Sequence, residues 1–162
     1  GAGAVVITAE DEASVGDRGV LAHHIRTDGT KSELLHVDGG VSSTGTIGHV
    51  RMLGNQVFKH VVTNISEAIR VVLDETDTTI DQIDWFVPHQ ANQRILNGVA
   101  RKMNLDEDKV VSTVALHGNT SAASIPLALH AAVSDGRIKP GHLVLSEAMG
   151  GGFSWGASLF RL

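Results

Sequence analysis

The sequence has 162 residues, of which 42% are hydrophobic and 19% charged, a balance that fits a globular domain able to bury a core. With 13 basic against 18 acidic residues the net charge is −5, which argues against a general nucleic-acid surface. There is no cysteine, which excludes a disulfide framework and thiolate metal sites and fits a cytoplasmic setting. No apolar run approaches the about 18 residues of a membrane span, and no secretory leader is expected.

The chain opens mid-pattern at Gly1, and Ala4–Thr8 is a short apolar run of strand type. It reads as a strand entered from preceding chain, so the sequence is expected to be a fragment; a processed terminus is the alternative. A polar connection, Glu10–Gly19, follows. Val20–Thr27 and Glu33–Val37 flank Asp28-Gly29, a turn dipeptide suited to a hairpin. Gly39–Gly48, rich in Gly, Ser and Thr, reads as a loop.

From Gln56 to Leu73 the apolar residues Val57, Phe58, Val61, Val62, Ile65, Ala68, Ile69, Val72 and Leu73 fall on one stripe, which predicts a helix with one buried face. Asp84–Pro88 is expected to be a strand. Asn92 can cap a helix through about Met103, with Ile95, Leu96, Val99 and Met103 inward. Val110–Ala115 reads as a further strand. A third helix is expected from about Thr120 to Val133, with Pro126 tolerated in its first turns. His142–Ala148 and Phe153–Leu162 read as two closing strands that pair antiparallel across Met149–Gly152. Strand–helix three times, then two strands, predicts an α/β layer with helices covering both faces. The opening Gly3–Ile7 faintly echoes the closing Gly156–Phe160, as if it ended an earlier, similar unit.

Two stretches carry the chemistry. His89 follows a strand directly and precedes a helix, and parallel sheets bind ligands outside the carboxyl ends of their strands. A lone histidine there is often structural, but Pro88, Gln90 and Asn92 would fix the backbone and orient the imidazole. Asn119 sits between a strand and a helix. As a plain N-cap it would be unremarkable; as a side-chain N–H donor beside the positive helix end it would stabilise developing negative charge. The remaining histidines show no metal-ligand spacing, so no metal site is expected. Arg94, Arg101 and Lys102 fall on the polar side of the second helix and Lys59 on the first. They are either a solvated face or, in an acidic chain, a local basic cluster for an acidic partner.

Pro88–Asn92, His117–Ser124 and Glu147–Gly156, in this order and spacing, resemble 3-oxoacyl-[acyl-carrier-protein] synthase III of the thiolase superfamily. The resemblance covers essentially the whole chain and corresponds to the carboxy-terminal half of that family. It implies a five-stranded mixed sheet of order 3-2-1-4-5, with residues 1–10 as the last strand of a missing amino-terminal half and 11–162 as the carboxy-terminal domain. It also implies a Cys–His–Asn triad in which His89 and Asn119 are the histidine and asparagine and the cysteine belongs to the other half. The implied reaction starts fatty acid synthesis by joining acyl-CoA, typically acetyl-CoA, to malonyl-acyl carrier protein (malonyl-ACP) with loss of CO2, without a cofactor.

Further residues enter by the same resemblance. Gly150, Gly151 and Gly152 would approach the acylated cysteine and support a second oxyanion, while Met149 stands where the family often has an aromatic residue. Gln90, Ala91, Asn92, Gln93 and Arg94 match a segment that contributes to acyl carrier protein binding, and Asn55 matches a contact to the pantetheine arm of CoA. The family enzymes are homodimers. Two other readings stay open: a related enzyme of specialised metabolism that joins a different acyl pair, and a non-catalytic thiolase-like binding module.

Overall fold

A computed structural model describes residues 1–11 and 16–162. Of the expected connection Glu10–Gly19, residues 12–15 lie outside the described residues. Strand β1 spans Gly19–Thr27, and β2 (Leu35–Val37) and β3 (Val50–Met52) form a small antiparallel pair. Helix α1 (Gly54–Glu75), β4 (Trp85–Pro88) and helix α2 (Gln93–Met103) follow. A single helical turn, α3 (Val114–His117), precedes helix α4 (Ser124–Ser134), and β5 (Leu143–Gly150) and β6 (Ser154–Arg161) close the chain.

The main sheet has four strands in the order β1-β6-β5-β4. β4 and β5 run parallel, and β6 is antiparallel to both β5 and β1. Five strands with the first in the middle were expected, and both points are corrected. β4 pairs directly with β5, and β1 lies at the edge, hydrogen-bonded along β6 from Gly19 opposite Arg161 to Thr27 opposite Ser154. The expected strand at Val110–Ala115 is reduced to one parallel bridge between Phe86 and Val110. Its reason is a side chain. The Gln90 amide donates to the carbonyl of Val111 at 3.1 Å and accepts from the N–H of Thr113 at 2.7 Å, so this backbone is satisfied without a ladder. The chain can then turn into α3 at once.

The hairpin expected at Asp28-Gly29 does not form either. The Asp28 carboxylate accepts the N–H of Thr30 and starts a 3-10 turn over Gly29–Leu34 instead. Ala4–Thr8 forms no strand, and Val5, Val6 and Ile7 are exposed. A strand needs a neighbour for its N–H and C=O groups, and no described strand lies alongside.

Period-two alternation distributes the sheet's side chains between two cores. Phe86, Leu143, Leu145, Ala157 and Leu159 join the buried stripe of α1 and the inward face of α2. Val87 and Val144 face the other way and pack with Ala128 and Ala132 of α4, Val111 and Ile138. Helices therefore cover both faces, as the strand–helix rhythm implies. The α1 stripe is buried as predicted, with Ile65, Ile69 and Val72 wholly inaccessible. Each such side chain contributes about 1.5–3 kcal/mol of burial. α2 begins where Asn92 accepts the N–H of Ile95, and it lies close on α1. A Cβ added at Gly98 would come within 3.1 Å of Val62 and 3.2 Å of Phe58.

Candidate active site

Two loops leave the carboxyl ends of β4 and β5, and a third, between α3 and α4, delivers a contact to the first. The first begins at His89, whose N–H donates to the carbonyl of Glu147 at 2.8 Å and so continues the parallel ladder by one residue. Gln90, 1% exposed, turns inward beneath it. Its Nε2 donates to the carbonyls of Pro88 (2.8 Å) and Val111 (3.1 Å), and its Oε1 accepts from Thr113. All of its side-chain hydrogen-bonding edges face backbone. That clamp fixes where the β4 strand stops, and it leaves Gln90 no polar edge for a docking partner.

The imidazole of His89 is half-buried, and its Nδ1 lies 2.6 Å from the Ser124 hydroxyl. Burial lowers its pKa below the ordinary 6.5, because desolvation disfavours the imidazolium. A neutral ring keeps one N–H donor and one acceptor.

The second loop runs from α3 to α4. Gly118 has φ 65, a left-handed conformation open to glycine, and releases the chain from the α3 turn. Asn119 is exposed, and its Oδ1 accepts the N–H of Ser121 at 2.9 Å. With the carbonyl end tied back to the loop, the NH2 end is the one left to donate outward. Ser121 and Ser124 are one helical turn apart, so the loop that holds Asn119 also delivers the partner of His89.

The third is the glycine turn between β5 and β6. Phe153 and Asp28 exchange two backbone hydrogen bonds, at 2.7 and 2.8 Å, which anchor the turn to the end of β1. Side chains are excluded here. A Cβ on Gly151 would meet the Leu35 carbonyl at 2.9 Å, and Gly152 has φ 142. Met149 is half-buried against the larger core, and with Gly150 it also borders an apolar groove of about 590 Å³ whose lining includes Ala148, Gly156, Ile25 and Ile125.

The other expected residues lie outside this corner. Asn55 and Lys59 are exposed in the first turns of α1. Asn92 is occupied as a helix cap, and Ala91 packs on the core. Gln93 donates to Asn97 and accepts from Ser112. Arg94 lies over the Phe58 ring at 5.5 Å, while Arg101 and Lys102 are exposed in the last turn of α2. Among the described residues, no three His, Asp or Glu side chains gather to hold a metal ion.

Two further polar groups are not singled out by the sequence alone. Ser124 was visible only as one small residue in a run of small residues; its spacing, one turn after the Asn119 loop and at a helix start, was the available signal. Glu147 is 4% exposed, and burial raises its pKa to about 8, so it is mostly protonated at neutral pH. Its register beside Leu145 and Met149 puts it on the α1 side of the sheet.

Solved structures share this architecture. The 3-oxoacyl-[acyl-carrier-protein] synthase III of Aquifex aeolicus superposes with a TM-score of 0.84 at 39% identity, over 96% of this chain and 46% of that one. The corresponding enzyme from Pseudomonas aeruginosa gives a TM-score of 0.85 at 36% identity, over 94% of this chain and 46% of that one. These are α/β condensing enzymes of the thiolase-like class. In sequence, the beta-ketoacyl-[acyl-carrier-protein] synthase III of Hyphomonas neptunium is 70% identical over all of this chain and 50% of its own length. The model of the 3-oxoacyl-[acyl-carrier-protein] synthase III carboxy-terminal domain matches residues 73–162, and the chain belongs to that family. It spans about half the length of the curated relatives it matches.

Proposed function

We propose that this chain is the carboxy-terminal half of a condensing enzyme that joins acyl-CoA to malonyl-ACP, releases CO2 and yields 3-oxoacyl-ACP, the first condensation of fatty acid synthesis. The observation that carries the reading is the pair of polar side chains on adjoining loops: a half-buried His89, whose pKa burial lowers, and an exposed Asn119 whose Oδ1 is tied to Ser121. As the malonyl C–C bond breaks, its electron pair moves toward the thioester carbonyl, and two N–H groups there stabilise the enolate charge. The carbanion then attacks the acyl-thioester carbonyl, and the cysteine thiolate leaves.

The nucleophilic cysteine comes from an amino-terminal half. Residues 1–10 belong to that half and would form its last strand only when paired with it, and 11–162 are the carboxy-terminal domain; the exposed Val5–Ile7 supports this division. Backbone groups of Gly150, Gly151 and Gly152 face the acylated cysteine. The pantetheine arm runs past Asn55. The acidic carrier protein meets Arg94, Lys59, Arg101 and Lys102, with Ala91, Asn92 and Gln93 at the edge of the same surface. The complete enzyme is a cytoplasmic homodimer and needs no cofactor beyond its thioester substrates.

The test is to join this chain to the amino-terminal half of the Hyphomonas neptunium relative and supply acetyl-CoA with malonyl-ACP. A 3-oxoacyl-ACP product that disappears when the cysteine is replaced supports the reading. A folded fusion that makes none contradicts it.

A further inference from the structure

Ser124 opens α4 and is 2% exposed, and among the described residues its hydroxyl has no carbonyl as a hydrogen-bond partner. Two contacts surround it. The N–H of Gln90 donates to its oxygen at 3.2 Å, and Nδ1 of His89 lies 2.6 Å away. A hydroxyl carries one hydrogen, and an N–H such as that of Gln90 cannot accept it. If Nδ1 also carried a hydrogen, the hydroxyl would receive two donors, and its own hydrogen would be buried with nowhere to go among the described residues. Such a loss costs about 1–3 kcal/mol. With the hydroxyl hydrogen on the Nδ1 side, every group is satisfied.

We propose that Ser124 is a positioning residue: its hydroxyl donates to Nδ1 of His89 and so fixes the neutral tautomer that carries its hydrogen on Nε2. The inference rests on His89 acting as a donor to an oxyanion, because only that tautomer offers an N–H from Nε2. Two further features act in the same direction. The α4 amino terminus, with its partial positive charge, sits beside Nδ1 and disfavours an imidazolium. The Gln90 clamp holds the N–H that orients the Ser124 oxygen, so the two loops lock each other. One short segment therefore does two jobs: Asn119 supplies a donor, and Ser124, five residues on, prepares the other.

The fusion with the amino-terminal half, labelled with nitrogen-15 at histidine, tests this through two-bond proton–nitrogen correlations, with His89→Gln assigning the ring. Near pH 7.5 the wild type should show Nδ1 bare and Nε2 protonated. Ser124→Ala should raise the ratio of the Nδ1–H to the Nε2–H tautomer by about tenfold, the equilibrium weight of one hydrogen bond. Ser124→Thr, which keeps the hydroxyl, should retain the wild-type tautomer. A wild-type ring protonated on Nδ1, or a Ser124→Ala ring like the wild type, overturns the assignment. In the same fusion, Ser124→Ala should lower the rate of malonyl-ACP decarboxylation in proportion to the share of Nε2–H tautomer that the spectrum shows lost, with KM unchanged, and Ser124→Thr should restore it. If the tautomer responds as stated but His89→Gln leaves decarboxylation intact, Ser124 keeps its role and the oxyanion reading of His89 fails.

Discussion

His89 and Asn119 are assigned the same task, yet the molecule holds them very differently. His89 is fastened on three sides, by the Glu147 carbonyl at its backbone, by the Gln90 clamp on the next residue and by the Ser124 hydroxyl at its ring. Asn119 stands exposed on a short loop, and among the described residues its side chain is held by one hydrogen bond, from Ser121. One donor is preorganised by burial; the other is placed by a turn and left accessible. The contrast suggests that the histidine sets the position of the oxyanion and that the asparagine completes the pair once substrate is present.

The comparison can be broken most sharply at Gln90. Gln90→Ala would leave the N–H of Thr113 and the carbonyls of Pro88 and Val111 buried without their partner. We expect a loss of about 3 kcal/mol in denaturant titrations, together with lower decarboxylation. Asn119→Ala removes the acceptor of the exposed Ser121 N–H, which water can then satisfy, and should lower activity while changing stability far less. Equal stability losses in the two variants would erase the distinction between the two donors.

The pH dependence gives a second handle, because the buried Glu147 and the half-buried His89 act with opposite sign. Glu147 binds its proton more tightly in the folded state. Its stability contribution is therefore full below its ordinary 4.5 and is lost as pH rises toward about 8. His89 has a lowered folded pKa, so its contribution is full above 6.5 and is lost as pH falls below that value. Glu147→Gln should flatten the alkaline slope of stability and leave the acid slope in place. An unchanged alkaline slope would mean that Glu147 is not the responsible group.

The smallest effect is expected on the exposed α2 surface. Arg94→Glu should weaken carrier-protein binding at low salt, and the difference should shrink as salt is raised. Equal binding at low salt would return these cations to an ordinary solvated face.

The sequence made the long, regular parts of this fold legible. The α1 stripe, the Asn92 cap and the antiparallel closing strands follow from periodicity and local chemistry. Strand order did not, because β1 could be assigned an edge only by the register it makes with β6. The reduced strand at Val110 was hidden for a different reason: a glutamine from another loop stands in for a backbone neighbour, and no local pattern announces that. His89 and Asn119 were readable because each follows a change of element. Ser124 was not, since its function depends on a ring 35 residues away in sequence.

The central claim, that His89 and Asn119 donate to one oxyanion, is tested most directly by malonyl-ACP decarboxylation in the fused protein carrying His89→Ala, Asn119→Ala and both. Each single change should slow the reaction by about 100- to 1,000-fold. The double variant should be little slower than the worse single one, as expected of groups that act as a unit. Rates that fall by the full product of the two single effects, or that do not fall at all, would contradict the account.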